Sequence, residues 1–282
     1  MKEGKTYSLN CKGNLIDVTQ PKVMGILNLT PDSFFDGGNY SDETLMLKQV
    51  ERMLVEGAAF IDVGSHSSRP DADMISEEEE LKRIIEPLEI IVKRFPEALI
   101  SIDTFRSKVA SECLDRGASL INDISGGDKD SHILDIAAKY HAPYIMMHMR
   151  GTPQNMNQKT DYENVTLEVK KSLSEKVLSA KNKKLNDIVL DPGFGFAKTL
   201  EQNYELLNHL DLFESFDLPV LVGISRKSMI YKLLKTTAEE ALNGTTALNT
   251  VALLKGANIL RVHDVKEAME CIKLVGQLRA SY

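Results

Sequence analysis

The stretch ALISIDTFRSKVASECLDRGASLINDISGG, residues 98 to 127, contains one full unit of the pattern that decides the fold. An apolar run from Leu99 to Ile102 is followed by a helical segment from Ser107 to Arg116, and a second apolar run begins at Leu120. Short β-branched runs bounded by turn residues indicate strands, whereas longer segments with apolar residues at helical spacing indicate helices. The stretch therefore predicts a strand, a helix and a second strand parallel to the first.

The same alternation extends along the chain in both directions. The predicted strands are Val23 to Leu27, Phe60 to Val63, Leu99 to Ile102, Leu120 to Ile121, Tyr144 to Met147, Ile188 to Leu190, Val220 to Val222 and Ile259 to Val262. The predicted helices are Asp42 to Glu56, Ser76 to Phe95, Ser107 to Arg116, Asp130 to Lys139, Tyr162 to Lys184, Thr199 to His209, Gly244 to Lys255 and Val265 to Leu278. Eight strand–helix units predict an α/β fold, a (β/α)8 TIM barrel, with a doubly wound open sheet as the alternative.

The first residues do not follow this repeat. Tyr7 to Val18 reads as two short strands around Gly13 and Asn14, which predicts a β-hairpin. We expect the hairpin to cap the bottom of the barrel. Since no low-complexity linker interrupts the chain, residues 1–282 are predicted to form a single domain.

Composition and charge exclude several classes of protein. The formal net charge of −7 offers no basic surface for nucleic acid. The polar N-terminus and the lack of any run of about 18 apolar residues argue against export and against a membrane protein. The three cysteines, Cys11, Cys113 and Cys271, are far apart in the sequence, which favours reduced, buried thiols and a cytoplasmic location.

Polar residues stand where nearly every predicted strand ends, and in a barrel these ends meet at one cavity. Taken alone, an Asp or Asn at a strand end is as well explained by a turn. The set as a whole predicts a functional site, and it comprises Asn28, Gly64 to Arg69, Asp103, Asn122, His148, Asp191, Ser225 to Lys227, Arg261 and His263.

Asp103, Asn122 and Asp191 form a group rich in hydrogen-bond acceptors. Two carboxylates beside an amide suit a ring that presents several N–H donors, such as the 2-amino-4-oxopyrimidine edge of a pterin, because a buried polar group without its partner is costly. This subset predicts a pterin site.

Asn28, Arg261 and His263 form a second subset, because the first and eighth strands of a closed barrel are neighbours. Two cationic donors and an amide oxygen can hold a diphosphate and its Mg²⁺. The chain contains no G-x-x-x-x-G-K-[ST] loop, so a P-loop nucleotide site is excluded.

At these residues the chain resembles the dihydropteroate synthases over nearly its whole length. The motifs are MGILNLTPDSFFDGGN at 24–39, DVGSHSSRPDA at 62–72, SIDT at 101–104, NDISGG at 122–127, MHMRGTP at 147–153, DPGFGF at 191–196, GISRKS at 223–228 and RVHDV at 261–265. The resemblance implies a transferase of folate biosynthesis and a target of sulfonamides. Such an enzyme condenses 6-hydroxymethyl-7,8-dihydropterin diphosphate with p-aminobenzoate, releasing 7,8-dihydropteroate and pyrophosphate.

The resemblance also implies a role for each matching residue. The pterin would be bound by Asp103, Asn122, Met147, Asp191, Gly223, Lys227 and Arg261. The diphosphate would be bound by Asn28, Arg261 and His263, with Asn28 also holding Mg²⁺. The p-aminobenzoate site would consist of Phe34, Ser68, Arg69, Pro70, Phe196 and Ser228. The catalytic residues would be Asp36, Lys227, Arg261 and His263, with Asp36 stabilising the cation formed as the diphosphate leaves.

One motif departs from the family pattern, because Ser65, His66, Ser67 and Ser68 replace the common Gly-Glu-Ser-Thr. The resemblance also predicts a homodimer that pairs through Thr199 to His209 and Gly244 to Leu278. Two other functions are considered, a pterin-binding methyltransferase domain and a non-catalytic pterin-binding paralogue. The methyltransferase would not need Lys227 together with the pocket of Arg261 and His263, and the paralogue would be expected to lack some of these residues.

Overall fold

The fold is that of a computed structural model, which describes residues 5–29, 40–65 and 75–280, without the side chains of residues 40–42. The strands are β1 (Ser8–Cys11), β2 (Asn14–Asp17), β3 (Lys22–Asn28), β4 (Phe60–Gly64), β5 (Leu99–Asp103), β6 (Leu120–Asp123), β7 (Tyr144–Met147), β8 (Ile188–Asp191), β9 (Leu221–Val222) and β10 (Ile259–Val262). The α-helices are α1 (Tyr40–Glu56), α2 (Glu77–Arg94), α3 (Ser107–Asp115), α4 (His132–Tyr140), α5 (Val165–Asn182), α6 (Leu200–Asn208), α7 (Ser228–Leu234), α8 (Leu242–Leu254) and α9 (Val265–Ala280).

Strands β3 to β10 form one parallel sheet in the order β8-β7-β6-β5-β4-β3-β10-β9. The two outer strands of this order meet at a bridge between Leu190 and Val220, where the Leu190 amide donates to the Pro219 carbonyl at 2.9 Å. This contact closes the sheet into a barrel, and each strand of the barrel is followed by at least one helix. The predicted (β/α)8 barrel is therefore confirmed, and the open doubly wound sheet is wrong.

The lower interior of the barrel is apolar. Seven side chains near the beginnings of the strands form one buried cluster with the hairpin residues Leu9 and Cys11: Met24, Phe60, Leu120, Ile145, Val189, Leu221 and Ile259. The hairpin, β1 paired with β2, is further held by a bond from the Asn10 amide to Asp187 Oδ2 at 3.0 Å, just before β8 begins. The predicted N-terminal hairpin is confirmed, and it covers the end of the barrel at which the strands begin.

The predicted elements are present with bounds that differ by up to three residues, and two differences lie after β8. Strand β9 begins at Leu221 rather than Val220, because Val220 pairs only through the isolated bridge to Leu190. Helix α7, which spans only seven residues, was not among the helices predicted from periodicity because it is too short to show two full turns of apolar spacing. None of the helices in the described ranges is long and apolar enough to cross a bilayer.

Candidate active site

The polar site lies directly above the apolar layer, because strand side chains alternate between the two faces of the sheet. Two residues after four of these inward-facing apolar residues comes a polar one on the same face: Asp62 follows Phe60, Asn122 follows Leu120, Asp191 follows Val189 and Arg261 follows Ile259. Asp62 is fully buried, Asn122 is 3% exposed, and Asp103 and Asp191 are each 6% exposed. The fold therefore gathers carboxylates, an amide and a guanidinium at the carboxyl end of the barrel.

Arg261 is the centre of this group. Its Nε donates to Asp62 Oδ2 at 2.6 Å, and its Nη2 donates to Asp103 Oδ2 at 2.9 Å. Burial alone would lower the pKa of Arg261, but the charges of Asp62 and Asp103 outweigh burial and raise that pKa. The guanidinium is therefore a permanent cation fixed on two sides inside the barrel.

Asp62 also determines how Asn122 is oriented. The Nδ2 group of Asn122 donates to Asp62 Oδ2 at 2.9 Å, beside the bond from Arg261. With its donor engaged in this way, the amide presents its carbonyl oxygen as the acceptor for a ligand. Asp62 was not among the predicted site residues, although an acid in the middle of a strand buried at every position is the signal that could have identified it.

Asp191 is the second buried acceptor. Burial raises the pKa of Asp191, while the charge of Lys227, the Gly193 amide and the charge of Arg261 oppose that rise. The Gly193 amide donates to Oδ1 at 2.8 Å. This bond orients the carboxylate at the end of β8, next to the positions of Lys227 and Arg261.

Lys227 lies opposite Asp191, on the far side of the join between β8 and β9. Its ammonium donates to the Phe194 carbonyl at 2.6 Å and lies 4.6 Å from the centre of the Phe196 ring. Gly223 lies beside both cations, since a methyl group there would be in ordinary van der Waals contact, 3.8 Å from Arg261 Cβ and 4.0 Å from Lys227 Nζ. Burial lowers the pKa of Lys227 to about 8, against the opposing charge of Asp191.

We expect pterin affinity to decrease as the pH rises above about 8. Lys227 is predicted to donate to the pterin carbonyl, which requires its protonated form, and the free protein loses this proton as the pH passes the Lys227 pKa of about 8. Each further pH unit then lowers the fraction of protonated protein, and thus the affinity, about tenfold. Calorimetric titration of pterin from pH 7 to 9.5 tests this, with Lys227→Met expected to show weak binding and no such change.

Met147 and Phe196 lie together in an apolar wall. Both are buried and belong to one cluster with Ile124, Met149, Met156 and Ala197. The Lys227 ammonium lies over the Phe196 ring, and Met147 is in register with Asp191, so this apolar wall lies beside the acceptor group. It suits an aromatic ligand, and the predicted pterin and p-aminobenzoate roles of these two residues remain predictions.

The structure places the remaining predicted residues at the rim. His263 is exposed, and its Nδ1 lies 3.0 Å from Ser225 Oγ. Asn28 is half-buried at the end of β3, in register with Gly64, and Ser228 is the first residue of α7. Five further predicted site residues, Phe34, Asp36, Ser68, Arg69 and Pro70, lie outside the described residues, as does His66.

The comparisons with known proteins decide the family. The family described as "Pterin binding enzyme" matches residues 24–263. The dihydropteroate synthase of Escherichia coli (strain K12) is 43% identical over 269 residues, which is 95% of each chain. The chain belongs to the dihydropteroate synthase family.

Two solved structures of the dihydropteroate synthase family share the fold. One is the Yersinia pestis dihydropteroate synthase with a sulfonamide drug complex, with a TM-score of 0.90, 40% identity, and coverage of 97% of this chain and 100% of that one. The other is the Xanthomonas albilineans dihydropteroate synthase with 4-aminobenzoic acid, with a TM-score of 0.90, 34% identity, and coverage of 98% and 99%. Membership of the dihydropteroate synthase family decides against the methyltransferase interpretation.

Proposed function

We propose that the protein condenses 6-hydroxymethyl-7,8-dihydropterin diphosphate with p-aminobenzoate to give 7,8-dihydropteroate and pyrophosphate. The observation that carries this proposal is the buried group of Asp103, Asn122 and Asp191 beside two fixed cations, Lys227 and Arg261. Acceptors for a pterin edge and cations for its carbonyl and diphosphate then lie in one cavity. The relationship to the dihydropteroate synthases supports the same reaction.

The acceptor group would bind the pterin through its donors. The Asp191 carboxylate accepts from the ring N–H and the 2-amino group, and the Asn122 carbonyl oxygen accepts a further N–H. The Lys227 ammonium, already at the edge of the cavity, donates to the pterin carbonyl. Because Asp191 and Asn122 are buried and all three groups are oriented before binding, little reorganisation is needed when the ring enters.

Arg261, His263 and Asn28 would hold the diphosphate. Arg261 keeps guanidinium N–H groups for the anion beyond those bonded to Asp62 and Asp103, since a guanidinium has five N–H donors. Within the described ranges no group of three His, Cys, Asp or Glu residues could hold a metal. Mg²⁺ fits this site nonetheless, because it takes most of its ligands from phosphate and water, and Asn28 offers one hard oxygen. When bound, Mg²⁺ would neutralise charge on the diphosphate.

In the reaction, the arylamine nitrogen attacks the methylene carbon of the pterin, and the carbon–oxygen bond to the diphosphate breaks. The diphosphate leaves with the electron pair, and the amine proton passes to solvent. The protein positions the two reactants and stabilises charge, which are large contributions in this type of displacement. Phe196 and Ser228 would contact the p-aminobenzoate together with Phe34, Ser68, Arg69 and Pro70, and Asp36 would stabilise the positive charge on the pterin.

The test is to incubate the purified protein with the pterin diphosphate, Mg²⁺ and p-aminobenzoate. Stoichiometric dihydropteroate and pyrophosphate are expected, detected by mass spectrometry and a coupled pyrophosphate assay. If pterin bound but no product formed, the protein would instead be the non-catalytic pterin-binding paralogue.

Arg261→Ala and His263→Ala are expected to weaken binding of the pterin diphosphate by at least tenfold more than binding of the bare pterin. The reason is that both side chains act on the anion, and a lost hydrogen bond to a charged group costs about 1.5–3 kcal/mol. Calorimetry with both ligands measures the difference. The matched control is Arg226→Ala, because Arg226 is also a cation at this end of the barrel but is paired with Asp264 through two bonds of 2.8 Å. Equal weakening for both ligands would make Arg261 a structural residue only.

We also expect a homodimer. Large apolar side chains are exposed on α7, α8 and α9, namely Leu233, Leu234, Val251, Leu254, Leu274 and Leu278. Helix α8 packs against both α7 and α9, and exposed apolar side chains grouped on neighbouring helices indicate a protein interface. Four of these side chains lie in the predicted range from Gly244 to Leu278. The other predicted segment, α6, adds no exposed large apolar side chain among its described residues. Light scattering at micromolar concentration should give twice the mass of one chain, and Leu274→Glu with Leu278→Glu should give one. A monomeric unmodified protein would refute the dimer.

We place the protein in the cytoplasm. Cys11, Cys113 and Cys271 are buried and form no disulfide, which fits a reducing compartment.

A further inference from the structure

Lys198 is a buried cation for which the proposed reaction has no direct use. The residue is only 8% exposed, and its ammonium has three acceptors: His148 Nδ1 at 3.2 Å, the Gly193 carbonyl at 2.9 Å and the Phe196 carbonyl at 3.0 Å. An ammonium has three N–H donors, so the number of donors equals the number of acceptors. Burial and the charge of Lys198 lower the pKa of His148 to about 2, so His148 is neutral and its Nδ1 can accept.

Two of these acceptors belong to the β8–α6 loop, residues 192–199. The loop packs tightly on the end of β7, since a Cβ at Gly193 would lie 2.0 Å from the His148 carbonyl oxygen. Gly193 has a φ of +73°, a conformation that glycine adopts without strain. The backbone of this loop is therefore held against β7 both by packing and by the Lys198 ammonium.

The same loop supports two groups that face the substrates. Its Phe194 carbonyl accepts from Lys227 at 2.6 Å, and its Phe196 ring belongs to the apolar wall, 4.6 Å from the Lys227 ammonium. Lys198 bonds the carbonyls on either side of Phe194, at Gly193 and Phe196. A shift of the loop would consequently move the Phe196 ring and the partner of Lys227 together.

On the basis of the proposed function, we propose that Lys198 is a positioning residue that fixes the β8–α6 loop so that Phe196 and Lys227 meet the arylamine and the pterin in the reacting geometry. The charge on Lys198 costs the fold stability, although the three acceptors need its N–H donors. Burial lowers the pKa of Lys198 to about 7, against the opposing charge of Asp191, so the fold disfavours this cation. An apolar residue would avoid that cost but would leave three buried acceptors without a donor.

The chain provides a matched control in Lys176 of α5. Its side chain is 9% exposed, and its ammonium donates to the Ser125 carbonyl at 2.5 Å and the Gly126 carbonyl at 3.3 Å. Lys176, which also forms an ion pair with Asp128 at 2.6 Å, thus ties the loop after β6 from α5, whereas Lys198 ties the β8–α6 loop from within it. Neither of those carbonyls belongs to the loop that carries Phe196 or the Lys227 partner.

The experiment compares Lys198→Met with Lys176→Met and the unmodified protein. We expect Lys198→Met to raise KM for p-aminobenzoate at least tenfold over Lys176→Met. The Kd of the bare pterin should rise less than this KM, because Asp103, Asn122 and Asp191 are held by the strands. If Lys198→Met does not fold, Lys198→Gln, which keeps two donors, should give a smaller increase in the same KM.

Amide hydrogen exchange without substrates supplies the second measurement. The Gly193, Gly195 and Phe196 amides are bonded to Asp191 Oδ1, Asn203 Oδ1 and the Gly193 carbonyl, at 2.8, 2.7 and 3.1 Å. In Lys198→Met these amides should exchange at least tenfold faster, with the strands unchanged. Equal effects in both methionine variants, or an unchanged KM, would overturn the proposal. Absence of product from the unmodified protein would instead refute the proposed function, and the exchange result would still report on the loop.

Discussion

Asp191→Asn should remain folded and lose at least about tenfold in pterin affinity, equivalent to 1.4 kcal/mol. The carboxylate can accept two hydrogen bonds from the pterin, whereas an asparagine at this position would set its NH₂ group against a ligand donor. Mispairing a buried group of this kind costs about 2–5 kcal/mol. Because burial raises the pKa of Asp191, the ionised carboxylate destabilises the fold at neutral pH, and its replacement should not lower the melting temperature.

Calorimetry with bare pterin and a thermal melt measure these two quantities. Asp187→Asn is the matched control, since Asp187 precedes the same strand at the other end of the barrel and accepts from the Asn10 amide at 3.0 Å. That control should leave pterin affinity unchanged. Unchanged affinity in Asp191→Asn would reduce Asp191 to a turn residue and remove the main support for a pterin site.

Asp62→Leu should lower the free energy of unfolding by about 3–5 kcal/mol, the usual effect of removing one partner from a buried ion pair. Leucine is similar in volume but leaves Arg261 Nε and Asn122 Nδ2 without the oxygen that both now share. Pterin affinity should fall as well, because the Asn122 amide is then free to turn its NH₂ group toward the ligand. Asp62→Asn keeps one oxygen, and its free energy of unfolding should lie between those of Asp62→Leu and the unmodified protein.

Urea denaturation and pterin calorimetry test this pair of effects. The control is Ser101→Ala on the neighbouring strand β5, in register with Asp62. The Ser101 hydroxyl is fully buried and has no hydrogen-bond partner among the described residues, so its removal should cost little. A result in which Asp62→Leu is as stable as Ser101→Ala would contradict the role of Asp62.

The elements of this fold follow from local patterns, and the observed strand bounds differ from the predicted ones by no more than two residues. Strand-end polar residues could also be predicted, because the carboxyl ends of a parallel barrel must converge. Asp103, Asn122, Asp191 and Arg261 lie together for this reason.

Sequence patterns could not predict the contacts that orient these residues. Asp62 meets Arg261 across 199 residues of chain, and Lys198 meets His148 across 50, so no local spacing encodes either pair. The position of Lys198 in a loop gives no periodic signal at all. An acid within an apolar strand can mark a residue such as Asp62, but its partners are recognisable only from the three-dimensional arrangement.

The closure of the barrel has a consequence for how ligand binding affects stability. Strands β3 and β4 are paired at five positions, but β8 and β9 are joined by the single bridge of Leu190 and Val220. Asp191 stands on one side of this seam and Lys227 on the other. A pterin bound by both Asp191 and Lys227 would connect the two sides of this weakly paired join between β8 and β9. Its binding energy would therefore suppress partial opening of the barrel there more strongly than elsewhere.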